Sequence, residues 1–203
     1  MTEAAMGTCF DVAPWPTALK VISGLGTVGV AVATFMAYRA FLTPSTAPRA
    51  VAQGIVFVFP AIAVIALLFM VTGYDVAETE LYVRRPLWAT RVALSGLTRV
   101  WHDPTGCRGA LRIFGNGGLY SFTGLYQSHS LGRFRLFGTD LRRAVVLDLG
   151  RRVVVVTPAE PHGFVGYLGQ LFPGALVEGE RDRVLHGAGP GGRRAAGLGQ
   201  KEA

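Results

Sequence analysis

Two long stretches of this 203-residue chain carry no charge, and that constrains the fold more than any motif in it. Val21 to Tyr38 is 18 residues without Asp, Glu, Lys or Arg, and Ala50 to Tyr74 is 25. A bilayer core of roughly 30 Å takes about 20 mostly apolar residues as a helix. The sequence therefore predicts a transmembrane helix over 18–41 and a second over 50–74. Pro60 lies inside the second, where a membrane helix tolerates a kink if neighbouring groups re-satisfy the backbone. Thr43-Pro44-Ser45-Thr46-Ala47-Pro48 reads as a short turn within 42–49, so the pair makes a helical hairpin. The segment 1–17 holds Glu3 and Asp11 and no base, unlike the basic start of a cleaved signal peptide.

Within the first stretch, Gly24-Leu25-Gly26-Thr27-Val28-Gly29 spells a dinucleotide-binding G-x-G-x-x-G. That motif needs a preceding strand and an acid about 20 residues later, and no acid occurs between Asp11 and Asp75. Packing is the better reading. Gly29, Ala33 and Ala37 recur every four residues and share a helix face, where small residues let membrane helices approach. The expected partner is the second span, with a second protomer (a homo-oligomer) as the alternative. Lys20, Arg84, Arg85 and Arg91 on the outer flanks outnumber Arg39 and Arg49 at the turn. By the positive-inside rule both termini and the soluble part face the cytoplasm.

Only 16% of residues are charged, against about 25% for soluble domains, which agrees with a membrane-embedded part. The net charge of +7 comes almost wholly from arginine, dispersed with no run longer than a pair. There is no basic helix and no interleaved aromatic platform, which argues against nucleic acid as a partner. Two cysteines, Cys9 and Cys107, and four scattered histidines supply neither a disulfide framework nor metal-ligand spacing. No G-x-S-x-G, H-E-x-x-H or C-x-x-C occurs. His102-Asp103 near Cys107 does not make a Cys–His site, because adjacent strand residues point to opposite faces. No catalytic, cofactor-binding or metal-binding residue is expected.

After residue 74 the pattern changes to short β runs between turn residues. Glu80–Arg84, Thr90–Leu94, Leu97–Trp101, Leu111–Phe114, Leu125–Ser128, Arg133–Phe137, Ala144–Leu147 and Val153–Val156 read as strands of an antiparallel barrel or sandwich. Gly115, Gly117, Gly118 and Gly124 permit positive φ and a close turn or bulge; the alternative is a loop whose N–H groups cradle an anion. Thr157-Pro158-Ala159-Glu160 reads as a capping box with Thr157 at the N-cap, Pro158 first in the helix and Glu160 third. Phe164, Val165, Leu168, Leu171 and Phe172 then recur at helical spacing. The β domain with its closing helix covers 75–173, and 174–203, rich in Gly and Arg, reads as a flexible tail.

Strands closed by one helix resemble the pleckstrin-homology (PH) fold, and the resemblance becomes specific in a series of steps. Gly115-Asn116-Gly117-Gly118-Leu119-Tyr120 is followed by Gly124-Leu125-Tyr126, Leu131-Gly132-Arg133-Phe134 and Phe137-Gly138-Thr139-Asp140. Val153–Val156 then leads into Thr157-Pro158, and Phe164 to Leu168 closes the series. In order and spacing, residues 75–172 resemble the bacterial PH-like domains found behind membrane helices. The departure is Ser121-Phe122, where another glycine is expected. The fold expected is α+β: an N-terminal two-helix transmembrane hairpin, then a mainly antiparallel PH-like barrel or sandwich capped by a C-terminal helix. The resemblance implies a multi-pass protein of the bacterial inner (cytoplasmic) membrane whose soluble domain binds a protein partner or helps assemble a membrane complex. The alternative is recognition of anionic lipid, with Arg84 and Arg85 near the bilayer as candidate head-group contacts at about 1 kcal/mol per base.

Overall fold

A computed structural model describes residues 7–42 and 49–178. The expected turn around Pro44 and most of the expected tail lie outside these residues. In chain order the elements are β1 (Thr8–Asp11), α1 (Thr17–Leu42), α2 (Arg49–Leu68), β2 (Gly73–Val76), β3 (Glu80–Arg84), β4 (Ala89–Ala93) and β5 (Arg99–His102). They continue with β6 (Leu111–Leu119), β7 (Ser121–Ser128), β8 (Gly132–Gly138), β9 (Val145–Asp148), β10 (Val153–Val156), α3 (Pro161–Leu171) and β11 (Leu176–Glu178). The fold is mixed α+β and mostly antiparallel.

The strands form two sheets, one ordered β1-β2-β3-β4 and one ordered β11-β5-β9-β10-β8-β7-β6. Among the described strands only β10 with β8 and β11 with β5 pair in parallel. The larger sheet ends at β6 on one side and β11 on the other, so the expected barrel is not closed. The layered alternative describes the molecule: Tyr74, Leu81 and Val83 of the small sheet meet Val100, Val145, Leu147 and Val156 of the large one, with Phe164 and Leu168 of α3 in the same core. Period-2 alternation sends Leu81 and Val83 inward and leaves Glu80, Tyr82 and Arg84 half-exposed. A second cluster around Trp101, Cys107, Phe134 and Leu136 fills the other face of the large sheet.

Three boundaries differ from the sequence expectation. The second apolar helix stops at Leu68, and Gly73 and Tyr74, counted in a span to 74, begin β2 instead. Tyr74 is wholly buried; its hydroxyl donates to the Phe137 carbonyl at 2.7 Å and accepts from the Thr157 N–H at 3.0 Å. A residue held in the domain core in this way is uncharged for a different reason than a lipid-facing one. The segment ahead of α1 also gives the domain a strand. Its β1 pairs antiparallel with β2, Thr8 opposite Val76 and Asp11 opposite Gly73, and the Thr139 hydroxyl donates to the Ala13 carbonyl at 2.6 Å. At the other end, β11 adds to β5 within what was expected to be tail.

The capping box is not formed. Helix α3 begins at Pro161 with Glu160 at the N-cap and no side-chain cap bond. The Thr157 hydroxyl is engaged elsewhere, accepting from the Thr139 N–H at 2.9 Å, and Pro158 bridges to Val12. Tertiary pairing has outcompeted the local motif.

Among the described residues one helix is long and apolar enough to cross a membrane, over Thr17–Ala40, and Gly54–Leu68 is a shorter apolar helix. The two helices pack on one another. Among the described side chains, the buried and half-buried positions of α1 are Leu19, Ser23, Gly26, Val30, Ala33, Thr34, Ala37 and Ala40, and apart from Thr34 they follow the 4-3 alternation of a helix-packing seam. Ala33 and Ala37 lie on that seam as expected. Gly29 does not: it is exposed, and a Cβ added there would meet nothing within 4 Å. Gly26 takes the close-approach role, with Leu119 of β6 3.0 Å from where its Cβ would stand.

Candidate functional site

The glycine-rich stretch does not form a loop. Gly115, Gly117 and Gly118 lie in β6 and Gly124 in β7, with register shifts between Arg112 and Phe114 and between Gly117 and Leu119. Gly115 and Gly124 face each other with φ of 113° and 141°, so close that an added Cβ on either would fall within 2.2 Å of a backbone oxygen of the opposite strand. The bulge reading of these glycines describes the structure. The hairpin turns at Tyr120, a non-glycine residue at φ 66°. That turn is held by α1: Ser23 Oγ accepts from the Tyr120 N–H at 2.9 Å, and the Thr27 and Tyr120 hydroxyls are 2.8 Å apart.

The bent hairpin leaves a cleft of about 740 Å³ between the last turns of α2 and the face of β7 and β8. This lies within the roughly 300–1,000 Å³ of small-molecule sites. One wall is apolar helix, with Ile62, Ile65 and Phe69; the floor is Leu125 and Phe137. Arg85 and Arg135 line it, and among the described residues no Asp or Glu does. Arg112 borders it from β6 with its guanidinium folded over Gly117.

The two arginines that the sequence grouped as head-group contacts separate here. Alternation along β3 turns Arg84 outward, where its Nε lies 3.4 Å from Asp75 and an Nη 4.0 Å from Asp11. The next residue, Arg85, turns inward and is 9% exposed. Its Nε donates to the Thr90 hydroxyl at 2.9 Å and an Nη donates to the Phe69 carbonyl just past the end of α2. The rings of Phe69, Trp88 and Phe137 stand 5.1, 5.9 and 5.7 Å from the guanidinium carbon, within cation–π range. Burial lowers its pKa, yet a guanidinium stays protonated in proteins. Among the described residues no carboxylate lies within ion-pair distance of it. Arg135 was not singled out from sequence. Its signal is the alternation of Arg133 and Arg135 with Phe134 and Leu136, which sends Phe134 and Leu136 to the core and Arg135 to the cleft face.

Cys107 lies in the turn between β5 and β6 and is buried, and burial pushes its pKa up to about 12, the opposite of an activated nucleophile. His102 stacks edge-on against His162 at 5.1 Å, and Asp103 Oδ1 accepts from the N–H groups of Thr105 and Gly106, so these residues organise a turn. No group of three or more metal-ligating side chains occurs among the described residues.

Two stacked sheets, a closing helix against their shared core and a glycine-bulged hairpin define a PH-like module. Comparison with protein families bears this out: residues 72–171 match the family described as Bacterial PH domain, and the chain carries a bacterial PH-like domain over that segment. No curated protein and no solved structure matches the chain. The family match begins after α2, so β1 is an addition that the family segment does not contain.

Proposed function

We propose that this chain is a membrane-anchored, non-enzymatic PH-like binding module that engages a protein partner or assembles a membrane complex at the cytoplasmic face. PH domains are in general binding modules without catalytic residues, and the module reading follows from the family. Anchoring is carried by one observation. Strand β1, ahead of α1, is hydrogen-bonded to β2, behind α2. The two helices are therefore an excursion that leaves the domain and returns to it, and cleavage after α1 would strip a strand from the sheet.

The helix surfaces support the same reading. Val28, Val32, Phe35, Phe57 and Ile62 are 49–74% exposed, an apolar surface too large for water. Trp15 ahead of α1 and Trp88 beside the end of α2 sit where interfacial aromatics gather. The basic residues flanking the helices favour the cytoplasm for both ends. Fusion of reporters after Ala203 tests this. Fluorescence from a cytoplasm-only reporter and no alkaline phosphatase activity is expected; the reverse pattern refutes the orientation. Release of the protein from membranes by alkaline carbonate would refute the anchor. Capture from a detergent extract, repeated under several conditions without a partner, would count against the protein-binding role.

A second reading, recognition of anionic lipid, is favoured by a different observation: the buried guanidinium of Arg85 lines an acid-free cleft beside α2.

A further inference from the structure

We propose that the cleft between α2 and the face of β7 and β8 binds one anionic phospholipid, its phosphate between Arg135 and Arg85 and an acyl chain along the apolar wall of α2. This rests on the lipid reading above and gives it a place and a chemistry.

Charge is the first argument. Arg85 is nine-tenths buried, and its polar partners, the Thr90 hydroxyl and the Phe69 carbonyl, are neutral. A buried cation is costly without a counter-charge, and among the described residues no Asp or Glu lines the cleft to supply one. Arg135 adds a second, exposed guanidinium from β8, where it stands opposite Leu125 in the ladder. An anion drawn in by both has no acidic side chain to repel it.

Shape and polarity give the second argument. A free phosphate would use the arginines and leave Ile65, Phe69, Leu125 and Phe137 wet. A lipid with no phosphate would cover those side chains and leave Arg85 without a counter-ion, and phosphatidylcholine brings a phosphate whose charge its own quaternary ammonium offsets. An amphiphile with an anionic end matches both halves of the cleft. An added peptide strand cannot pair with β7 on the cleft face, because β7 is already paired on both sides, with β6 and β8; the free edge of this sheet is β6. Place agrees with chemistry. The cleft lies against the last turns of α2, and Trp88 packs edge-on to Phe69 at 5.1 Å. If α2 anchors the chain, this is the level of the lipid phosphates.

The experiment is native mass spectrometry of the full-length protein in mild detergent. The probes are dioleoyl phosphatidylglycerol, dioleoyl phosphatidylcholine and inorganic phosphate. One phosphatidylglycerol per chain is expected, held at least about tenfold more tightly than phosphatidylcholine, from two bases at the head group. Arg135→Glu, at an exposed position that spares the fold, and Leu125→Trp, which fills the cleft, each reduce that binding at least about fivefold. Arg85→Gln does the same, with a lowered melting temperature because its bond to the end of α2 is lost as well. Equal retention of both lipids by the unaltered protein overturns the lipid reading and the cleft together. A phosphatidylglycerol preference that survives Arg135→Glu and Leu125→Trp overturns the cleft alone and sends the lipid contact elsewhere. Inorganic phosphate binding as tightly as phosphatidylglycerol removes the acyl chain from the proposal and overturns it in that form.

Discussion

Replacing Tyr74 by Phe removes one oxygen and no volume, and it tests what holds the domain together. The phenol joins three elements: it stands on β2, donates to Phe137 of β8 and accepts from Thr157 at the end of β10. The ring stays packed on Phe164 at 6.2 Å, so no cavity term enters. What changes is that the Thr157 N–H loses its acceptor and the Phe137 carbonyl loses a donor, both in the core. An orphaned buried polar group costs about 1–3 kcal/mol, and the carbonyl less where the ladder still serves it. A loss of about 2–3 kcal/mol is expected, a fall of roughly 10–20 °C in melting temperature for a domain of this size. Thermal unfolding of the full chain in detergent reads it. Tyr82→Phe is the control, because its hydroxyl bonds Glu80 at the surface, and it should cost under about 1 kcal/mol. The pH dependence supplies a second reading. Burial raises the Tyr74 pKa, so its contribution is complete below the ordinary phenol value of about 10 and is lost as pH rises above it, when the unfolded chain ionises and the folded one does not. The difference between the unaltered protein and Tyr74→Phe should therefore shrink above about pH 10. A loss below about 0.5 kcal/mol at neutral pH would refute the claim that this hydroxyl ties the two sheets.

Gly124→Ala should cost about 2–4 kcal/mol, since φ is 141° and the new Cβ would lie 2.1 Å from the Phe114 carbonyl oxygen. Gly132→Ala, at φ 65° with open space around it, should cost only about 1–2 kcal/mol in the same denaturant titration. Gly26→Leu should loosen α1 from β6 and lower the melting temperature, whereas Gly29→Leu should leave it unchanged; equal effects would mean that the seam is misplaced. A disulfide reagent at pH 8 should modify Cys9 in the native protein and Cys107 only after unfolding, because one thiol is exposed and the other buried. Two reactive thiols in the native state would contradict the packing around Trp101.

What the sequence shows well is what repeats locally. Alternation at Glu80–Arg84 and the valine run at Val153–Val156 mark strands, and Phe164, Val165 and Leu168 mark the buried face of α3. What it hides depends on distant partners. Thr8–Asp11 is too short to alternate visibly, and it is a strand because residues 73–76 pair with it. Tyr74 sits in an uncharged run, and lack of charge does not separate a membrane helix from a buried strand. Thr157-Pro158-Ala159-Glu160 satisfies the rule for a helix start, but the hydroxyl is taken by Thr139, 18 residues earlier. Arg84 and Arg85 are neighbours in sequence, and alternation along β3 sends them to opposite faces while Arg85 lines the cleft. Its companion in the cleft is Arg135, fifty residues on, and only the sheet order brings the two to one opening.

The connections between helices and domain carry a consequence for how such a module works. Residues 12–16 lead from β1 into α1, and 69–72 lead from α2 into β2. Within the first, Ala13 is fastened by its N–H to the Thr157 carbonyl and by its carbonyl to Thr139; within the second, the Thr72 N–H donates to Arg84 and Phe69 accepts from Arg85. The β6–β7 turn adds a third fastening, where Tyr120 meets Ser23 and Thr27. Those two hydroxyls lie between Lys20 and Arg39, a run of about 28 Å at 1.5 Å per residue, close to the thickness of a hydrocarbon core. A hydroxyl shielded from water is costly unless it is bonded, and Tyr120 supplies the partner. The domain is thus fixed against the helices at three points rather than hung from them by a linker. In a membrane-anchored chain this holds the cleft at one height above the bilayer. Arg85 is itself one of these fastenings, since its guanidinium bonds the Phe69 carbonyl past the end of α2 and also lines the cleft.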